Sequence, residues 1–477
     1  MPAAPGKAPA KPPILVLQMQ RMGDLILSFP LLLWLARRFP GHPIWVAAEK
    51  MFYEPLLHLS PPVTYFPWEG AGVLARHDYR LVLNLSIRED AARLAGTLRS
   101  DQTLGPVITP DGRYVRGDWQ LYRASIVCNN RYNRFHWADL NALDCIDPAA
   151  LAATTYQPPA PPPAERSNIG LFLGASDPAK RPAAPWWAAL LKELRKHDLR
   201  VVLFGGPAEA DLGRDVQRRF KGPVTNLCGK LSLLELSRIG SSVRLFVTPD
   251  TGPMHLAAWL GMPTLNLSMG NVHPWETGPY QPGHHVLRPD MDCARGCWSC
   301  PDGSLACHKA FNARDVAYVA WRLFRDPNPD APAHRPPATP PGQRLLATGR
   351  DPLGLYRLRD TDGRDPDPQD RQAALWHAFF AARLGPTPPA APDHARQAAA
   401  DLAAHAPETR DRLAAALPAL TRLLARPTPA DLLAQTPPPL APLAGWAEHR
   451  LQNTDNAPDT RQDLLETVAD LAELLEG

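Results

Sequence analysis

The chain has 477 residues, 45% of them hydrophobic and 21% charged, with a formal net charge of +3. That length allows two or three domains, each with its own core, and so small a net charge excludes a general nucleic-acid-coating surface. Seven cysteines do not make a disulfide scaffold. The longest apolar run, 25–36, is interrupted by Ser28 and Pro30 and falls short of the roughly 20 residues that span a bilayer.

Residues 1–13 are rich in Ala, Pro and Lys and read as a disordered tail rather than a signal peptide. Residues 14–17 (Ile-Leu-Val-Leu) form a buried strand by their continuous apolar character. A turn follows to Gly23, and Asp24 opens a helix running to about Phe39. Asp24 therefore stands at a strand-to-helix crevice, where open α/β sheets bind ligands. As a plain helix N-cap it would contribute about 1 kcal/mol. Further short strands at 44–48 and 81–85, with helical pieces between, predict a parallel, doubly wound sheet.

The stretch 76–134 carries Arg80, Arg88, Arg93, Arg99, Arg113, Arg116, Arg123 and Arg131 against fewer acids. It reads as a solvated surface, or as a face for an anionic acceptor or membrane. Trp119, Tyr122, Tyr132, Phe135, His136 and Trp137 interleave with these arginines, as core packing or as a sugar-facing surface. The proline-rich run at 157–163 can be neither helix nor central strand and reads as a hinge.

A second sheet begins at 169–173 and is followed by a loop, 174–180, ending in Lys180-Arg181. Strand 201–204 runs into Gly205-Gly206-Pro207-Ala208-Glu209. The chain is organised around the next unit, where an apolar strand leads into Asp250-Thr251-Gly252-Pro253-Met254-His255. Asp250 and Thr251 are strong N-cap residues, Pro253 suits the first helical turn, and Gly261 supplies the stop before a strand at 264–267. Free N–H groups of Thr251, Gly252 and Met254 would make an anion site at the helix start. The alternative is an ordinary capped helix between two strands, and His255 is then a core histidine.

Cys293, Cys297, Cys300 and Cys307 lie within 15 residues. They could hold zinc or an iron–sulfur cluster, or form a knot without metal. Stretches 326–341 and 351–367 read as Pro- and Asp-rich connectors. From Arg371 onward, Ala/Leu-rich segments make four or five helices, a module for packing or oligomerisation.

The run from Asp250 to Ala258 with Gly261 and Pro263, the opening at 14–33 and the segment at 226–236 together resemble the heptosyltransferases, glycosyltransferase family nine. The resemblance covers about 14–325. It implies a GT-B fold of two Rossmann-like doubly wound lobes with a cleft, to which this chain adds a C-terminal α-helical appendage. The implied domains are the tail 1–13, an acceptor lobe 14–156, a hinge 157–167, a nucleotide-sugar lobe 168–325, a linker 326–370 and a helical domain 371–477. The implied reaction is inverting transfer of heptose from ADP-heptose to the inner core of lipopolysaccharide, with no cofactor required for transfer.

Carried over residue by residue, Asp24 is the catalytic carboxylate, and Ser176 and Lys180 hold the donor diphosphate. Glu209 bonds the ribose, and Asp250, Thr251, Gly252 and His255 complete the donor site. The implied partners are an ADP-sugar and a lipid-linked saccharide at the inner membrane surface, without nucleic acid, for a cytoplasmic or peripheral protein with no transmembrane segment. Three departures leave donor sugar and acceptor open: Gln18 replaces a basic residue, Pro182 a tryptophan, and 269–274 departs from a Gly-Pro-Thr-Asp pattern. The same fold with another nucleotide sugar or glycan acceptor, and a non-catalytic degenerate scaffold, are the alternatives. Removing everything after about Asp370 is expected to leave a folded, nucleotide-binding protein.

Overall fold

The computed structural model describes residues 11–154, 168–240, 242–300, 303–326, 338–385, 388–426 and 431–476. Most of the expected tail and all of the expected hinge lie outside the described residues. The apolar runs become two sheets. The first contains β1 (Ile14–Leu17), β2 (Ile44–Ala48), β3 (Thr64–Pro67), β4 (Leu81–Asn84), β5 (Thr103–Thr109) and β6 (Gly112–Arg116), in the order β3-β2-β1-β4-β5-β6. All neighbours are parallel except the β5–β6 hairpin. Strand order reverses direction between β1 and β4, so their carboxyl ends open a crevice at a topological switch point.

The second sheet repeats the plan with β7 (Asn168–Phe172), β8 (Arg200–Phe204), β9 (Thr225–Asn226), β10 (Val243–Pro249), β11 (Thr264–Leu267), β12 (His285–Pro289), β13 (Gln343–Arg350) and β14 (Tyr356–Asp360). Its order is β9-β8-β7-β10-β11-β12-β13-β14, and its switch point lies between β7 and β10. The last two strands are antiparallel additions. They lie within the stretch read from sequence as a linker. Proline content hid the alternation of Tyr356 and Leu358, buried, with Arg357 and Arg359, exposed.

The helix expected from Asp24 to Phe39 is two helices, Met22–Leu27 and Phe29–Arg38, broken at Ser28. Pro30 lacks the N–H that a continuous helix would need, and the Ser28 hydroxyl donates to the Asp24 carbonyl at 2.9 Å. Arg21, not Asp24, holds the N-cap position. Asp24 therefore sits within the first turn, and its carboxylate caps nothing.

The C-terminal helices, Pro368–Arg383, Ala391–His405, Pro407–Leu424, Ala441–Gln452 and Pro458–Glu476, do not stand apart. Trp376 and Phe380 share one hydrophobic core with Trp119, Tyr122 and Phe135 of the first lobe. The Tyr122 and Phe380 rings are 4.8 Å apart, and Trp119 Nε1 donates to the Gly385 carbonyl at 3.1 Å. Trp119, Tyr122 and Phe135 thus serve packing, and a cut after Asp370 would open this shared core.

The lobes are also tied to each other by buried polar contacts. Asp139 is wholly shielded from solvent. It accepts from the Tyr280 hydroxyl and from the Tyr356 N–H at 2.9 Å, with Arg350 at 3.6 Å. Nearby, Glu276 accepts from Asn130 and Asn133 of the first lobe at 3.0 and 3.1 Å.

Candidate active site

Each switch point contributes one wall. On the second lobe, Thr251 is the N-cap of the Gly252–Trp259 helix, yet its hydroxyl makes no cap bond. The Met254 N–H turns inward to the Thr251 carbonyl at 2.9 Å, so it is not the free donor that the sequence suggested. Gly261, at φ +69°, ends the unit in a left-handed conformation that suits glycine.

Asp250 is buried at the mouth of this helix. Its carboxylate meets Lys180 Nζ at 3.6 Å, the Thr277 hydroxyl at 3.4 Å and His255 Nε2 at 3.9 Å. Burial lowers the pKa of His255 to about 4, so the ring is neutral at pH 7. Lys180 closes a short turn whose Asp177 carboxylate caps the Ala179 N–H at 2.9 Å. Ser176 is exposed in the same loop. Glu209 lies against Gly174 and accepts the Gly206 N–H at 2.8 Å, beside the ends of β7 and β8.

On the first lobe, Asp24 is half-buried over the crevice. Burial pushes its carboxyl above the usual carboxylate range, while Arg123, Arg21 and Lys180 pull it down and Asp250 pushes it up. Charges from both lobes therefore act on this one group. Arg123 is buried, stacked 4.7 Å from the Trp137 ring, and donates to the Leu85 carbonyl at 2.9 Å and to Gln120 Oε1 at 3.2 Å. A cavity of about 160 Å³ opens here, lined by Gln18, Gln20, Asp24, Ile87, Arg123 and Asn141. Sequence reasoning missed Arg123 and Asn141 as site residues. Arg123 was one arginine among ten in a basic stretch, and only its place between Tyr122 and Trp137 hinted at burial.

The cysteine segment borders the Lys180 turn. Cys307 Sγ accepts the Gly270 N–H at 3.3 Å, and His308 Nε2 donates to the Ala179 carbonyl at 2.7 Å. The buried Arg288 guanidinium donates to the carbonyls of Ala294 (2.9 Å) and Ser268 (3.2 Å) and feels Cys297, Cys307 and Cys293. None of the four thiols is in a disulfide. Among the described residues, no three His, Cys, Asp or Glu side chains are arranged to hold a metal ion. No helix among the described residues is long and apolar enough to cross a membrane.

Two doubly wound lobes that face each other across their switch points define the GT-B class of glycosyltransferase fold. Residues 139–297 match the family model "Glycosyltransferase family 9 (heptosyltransferase)". The match takes in Lys180, Glu209 and the Asp250 unit and stops short of Asp24. A solved structure of the glycosyl transferase family 9 protein from Veillonella parvula shares the fold, with TM-score 0.51 and 19% identity over 66% of this chain and 98% of that one. The lipooligosaccharide heptosyltransferase 2 of Campylobacter jejuni is 34% identical over 168 residues, 33% of this chain and 51% of that protein. The lipopolysaccharide heptosyltransferase 2 of Salmonella typhimurium is 32% identical over 129 residues, 26% of this chain and 37% of that protein. The chain thus spans about half the length of the first of these relatives and about a third of the second.

Proposed function

We propose that this chain is an inverting glycosyltransferase that moves a heptose from ADP-heptose to an inner-core acceptor of lipopolysaccharide. The observation that carries the reading is the convergence of Asp24 with Lys180 and Asp250, each at the switch point of its own sheet. The names of the matched relatives support the sugar and the acceptor class, and the sequence resemblance supports the nucleotide.

Asp24 takes the proton of the acceptor hydroxyl as that oxygen attacks the anomeric carbon. The bond from that carbon to the diphosphate breaks, and ADP leaves. A carboxylate whose burial raises its proton affinity is a better base than an exposed one. Lys180 and the Gly252 N–H meet the charge that builds on the departing diphosphate. Asp250 orients Lys180, His255 packs beside it as a neutral ring, and Thr251 and Ser176 offer hydroxyls to the phosphates. Glu209 accepts from the ribose hydroxyls. No step is routed through a metal, and the protein works at the cytoplasmic face of the inner membrane on a lipid-linked acceptor. Metal analysis of anaerobically purified protein tests the structural zinc or iron–sulfur cluster suggested by the spacing of Cys293, Cys297, Cys300 and Cys307.

A thermal-shift series with ADP, UDP, GDP and CMP tests the donor. A ligand at a hundred times its Kd stabilises the folded state by about 2.7 kcal/mol, so ADP alone should raise the melting temperature, and a preference for UDP overturns the donor. The anomeric configuration of the product, read by NMR, tests inversion.

A further inference from the structure

The cavity beside Asp24 holds buried polar atoms that nothing in the protein satisfies. Gln18 Oε1, Gln20 Oε1 and Asn141 Oδ1 are buried there without a hydrogen-bond partner, as is Arg123 Nε. The orientation of Gln18 is set by its other end. The Ser28 hydroxyl gives its proton to the Asp24 carbonyl at 2.9 Å, so Ser28 Oγ must accept from Gln18 Nε2 at 3.2 Å. Oε1 is left as an unfilled acceptor. Buried carbonyl oxygens without donors cost stability and are completed by a ligand that brings protons to them. Sugar hydroxyls do so, and their oxygens can also accept from Arg123 Nε; a phosphate ionised at neutral pH brings no proton to the three carbonyl oxygens and would lie beside Asp24.

This small cavity does not end at Asp24. Ile87, in the turn after β4, is 80% exposed, and it lines both this cavity and a second one of about 320 Å³. The second cavity runs between the β5–β6 hairpin and the Ala441–Gln452 helix of the C-terminal region, which supplies His449 and Gln452. That helix end is fixed in place, because Asn453 Oδ1 accepts the Val115 N–H of β6 at 2.5 Å. His449 Nδ1 bonds the Gly445 carbonyl at 2.9 Å. A carbonyl can only accept, so the neutral ring carries its proton on Nδ1 and offers Nε2 as an acceptor. The two arginines of this cavity are already neutralised: Arg88 pairs with Glu49 and Asp90, and Arg113 with Glu89 at 3.3 Å. Ile87, Tyr114 and Val115 add apolar surface for the C–H face of a sugar ring.

We infer that these two cavities form one continuous acceptor groove for a saccharide at least two units long that is held through its hydroxyls rather than through phosphates, and that the C-terminal helical region supplies its outer half. The inference rests on the transferase reading above and names its acceptor. The terminal sugar sits against Gln18, Gln20, Asn141 and Asp24. The preceding sugar crosses Ile87 and meets His449 and Gln452. The appended helices are thus specificity elements for the acceptor.

The test titrates the full chain by calorimetry with core oligosaccharide released from lipopolysaccharide, before and after phosphatase treatment, and separately with ADP. The dephosphorylated oligosaccharide should bind at least as well as the untreated one. His449→Ala and Gln452→Ala should each weaken it about fivefold, the loss of one neutral hydrogen bond, while ADP affinity and melting temperature stay unchanged. Gln452 is exposed, so its variant keeps the test open if His449→Ala fails to fold. Binding that vanishes with the phosphates, or variants with unaltered oligosaccharide affinity, overturns the groove. Oligosaccharide binding without transfer from any nucleotide sugar overturns the transferase reading and leaves the groove standing.

Discussion

Gly23 and Gly252, from different lobes, meet backbone to backbone: a Cβ on Gly252 would stand 3.5 Å from the Gly23 amide nitrogen. The Met22–Leu27 and Gly252–Trp259 helices therefore start against each other, one residue from Asp24 and two from Asp250. The spacing between the proposed base and the proposed diphosphate site is set by main chain rather than by flexible side chains.

Asp24→Asn should lower turnover by about 10²–10⁴-fold, the usual effect of losing a general base, with ADP affinity unchanged. The same variant should not be less stable. The carboxyl's pKa is raised above 3.8 in the folded chain, so the folded state holds the proton more tightly than the unfolded one. Ionisation then costs folding free energy at neutral pH, a cost relieved as pH falls through the raised value. The melting temperature of Asp24→Asn at pH 7 should match or exceed that of the native chain. Calorimetry beside a single-turnover assay checks both halves.

Arg123 favours the ionised form of Asp24. Arg123→Met removes that cation, so a higher pH is needed to deprotonate the base, and the acid limb of the kcat profile should move upward. A profile that stays in place would detach Arg123 from the base.

His308 braces the Lys180 turn through the Ala179 carbonyl. His308→Ala should weaken ADP binding about threefold to tenfold, as one hydrogen bond is worth roughly 0.5–1.5 kcal/mol. Lys180→Ala should weaken it further, because a charge-assisted contact is lost. Titration of ADP into the two variants settles the order; equal and unaltered affinities would leave the cysteine segment without influence on the donor site.

A chain cut after Asp370 should be insoluble or should bind a dye for exposed apolar surface. The cut uncovers Tyr122, Phe135 and Trp119 and removes Trp376 and Phe380 from the same core. Each large apolar side chain contributes about 1.5–3 kcal/mol, and several together rival a net stability of about 5–15 kcal/mol. Soluble, cooperatively melting protein would contradict the shared core.

The strands around the site were legible in the sequence because buried parallel strands are continuous apolar runs, as in Ile14–Leu17 and Leu81–Asn84. The Asp250 unit was legible for its turn chemistry, a proline inside the first helical turn and a glycine just past the end. What stayed hidden depends on partners far away in the chain. Arg123 looks like any surface arginine until Asp24 and Trp137 close around it. β13 and β14 lie in a stretch whose prolines suggest a connector, and only the pairing of β13 with β12, and of β14 with β13, adds them to the sheet. The docking of Phe380 on Tyr122 spans more than 250 residues, beyond what local periodicity can encode.

Asp139 sets the range of motion of the whole molecule. If the lobes swung apart, its carboxylate would lose the Tyr280 and Tyr356 donors and leave Arg350 behind, each hydrogen bond being worth about 0.5–1.5 kcal/mol. A catalytic cycle built on wide hinge rotation would meet that barrier at every turnover. We expect substrates to enter and leave past the loops at 174–180 and 269–274 with the two lobes held together. The radius of gyration from solution scattering should then be the same with and without ADP, and a contraction on adding nucleotide would mean that the pin opens.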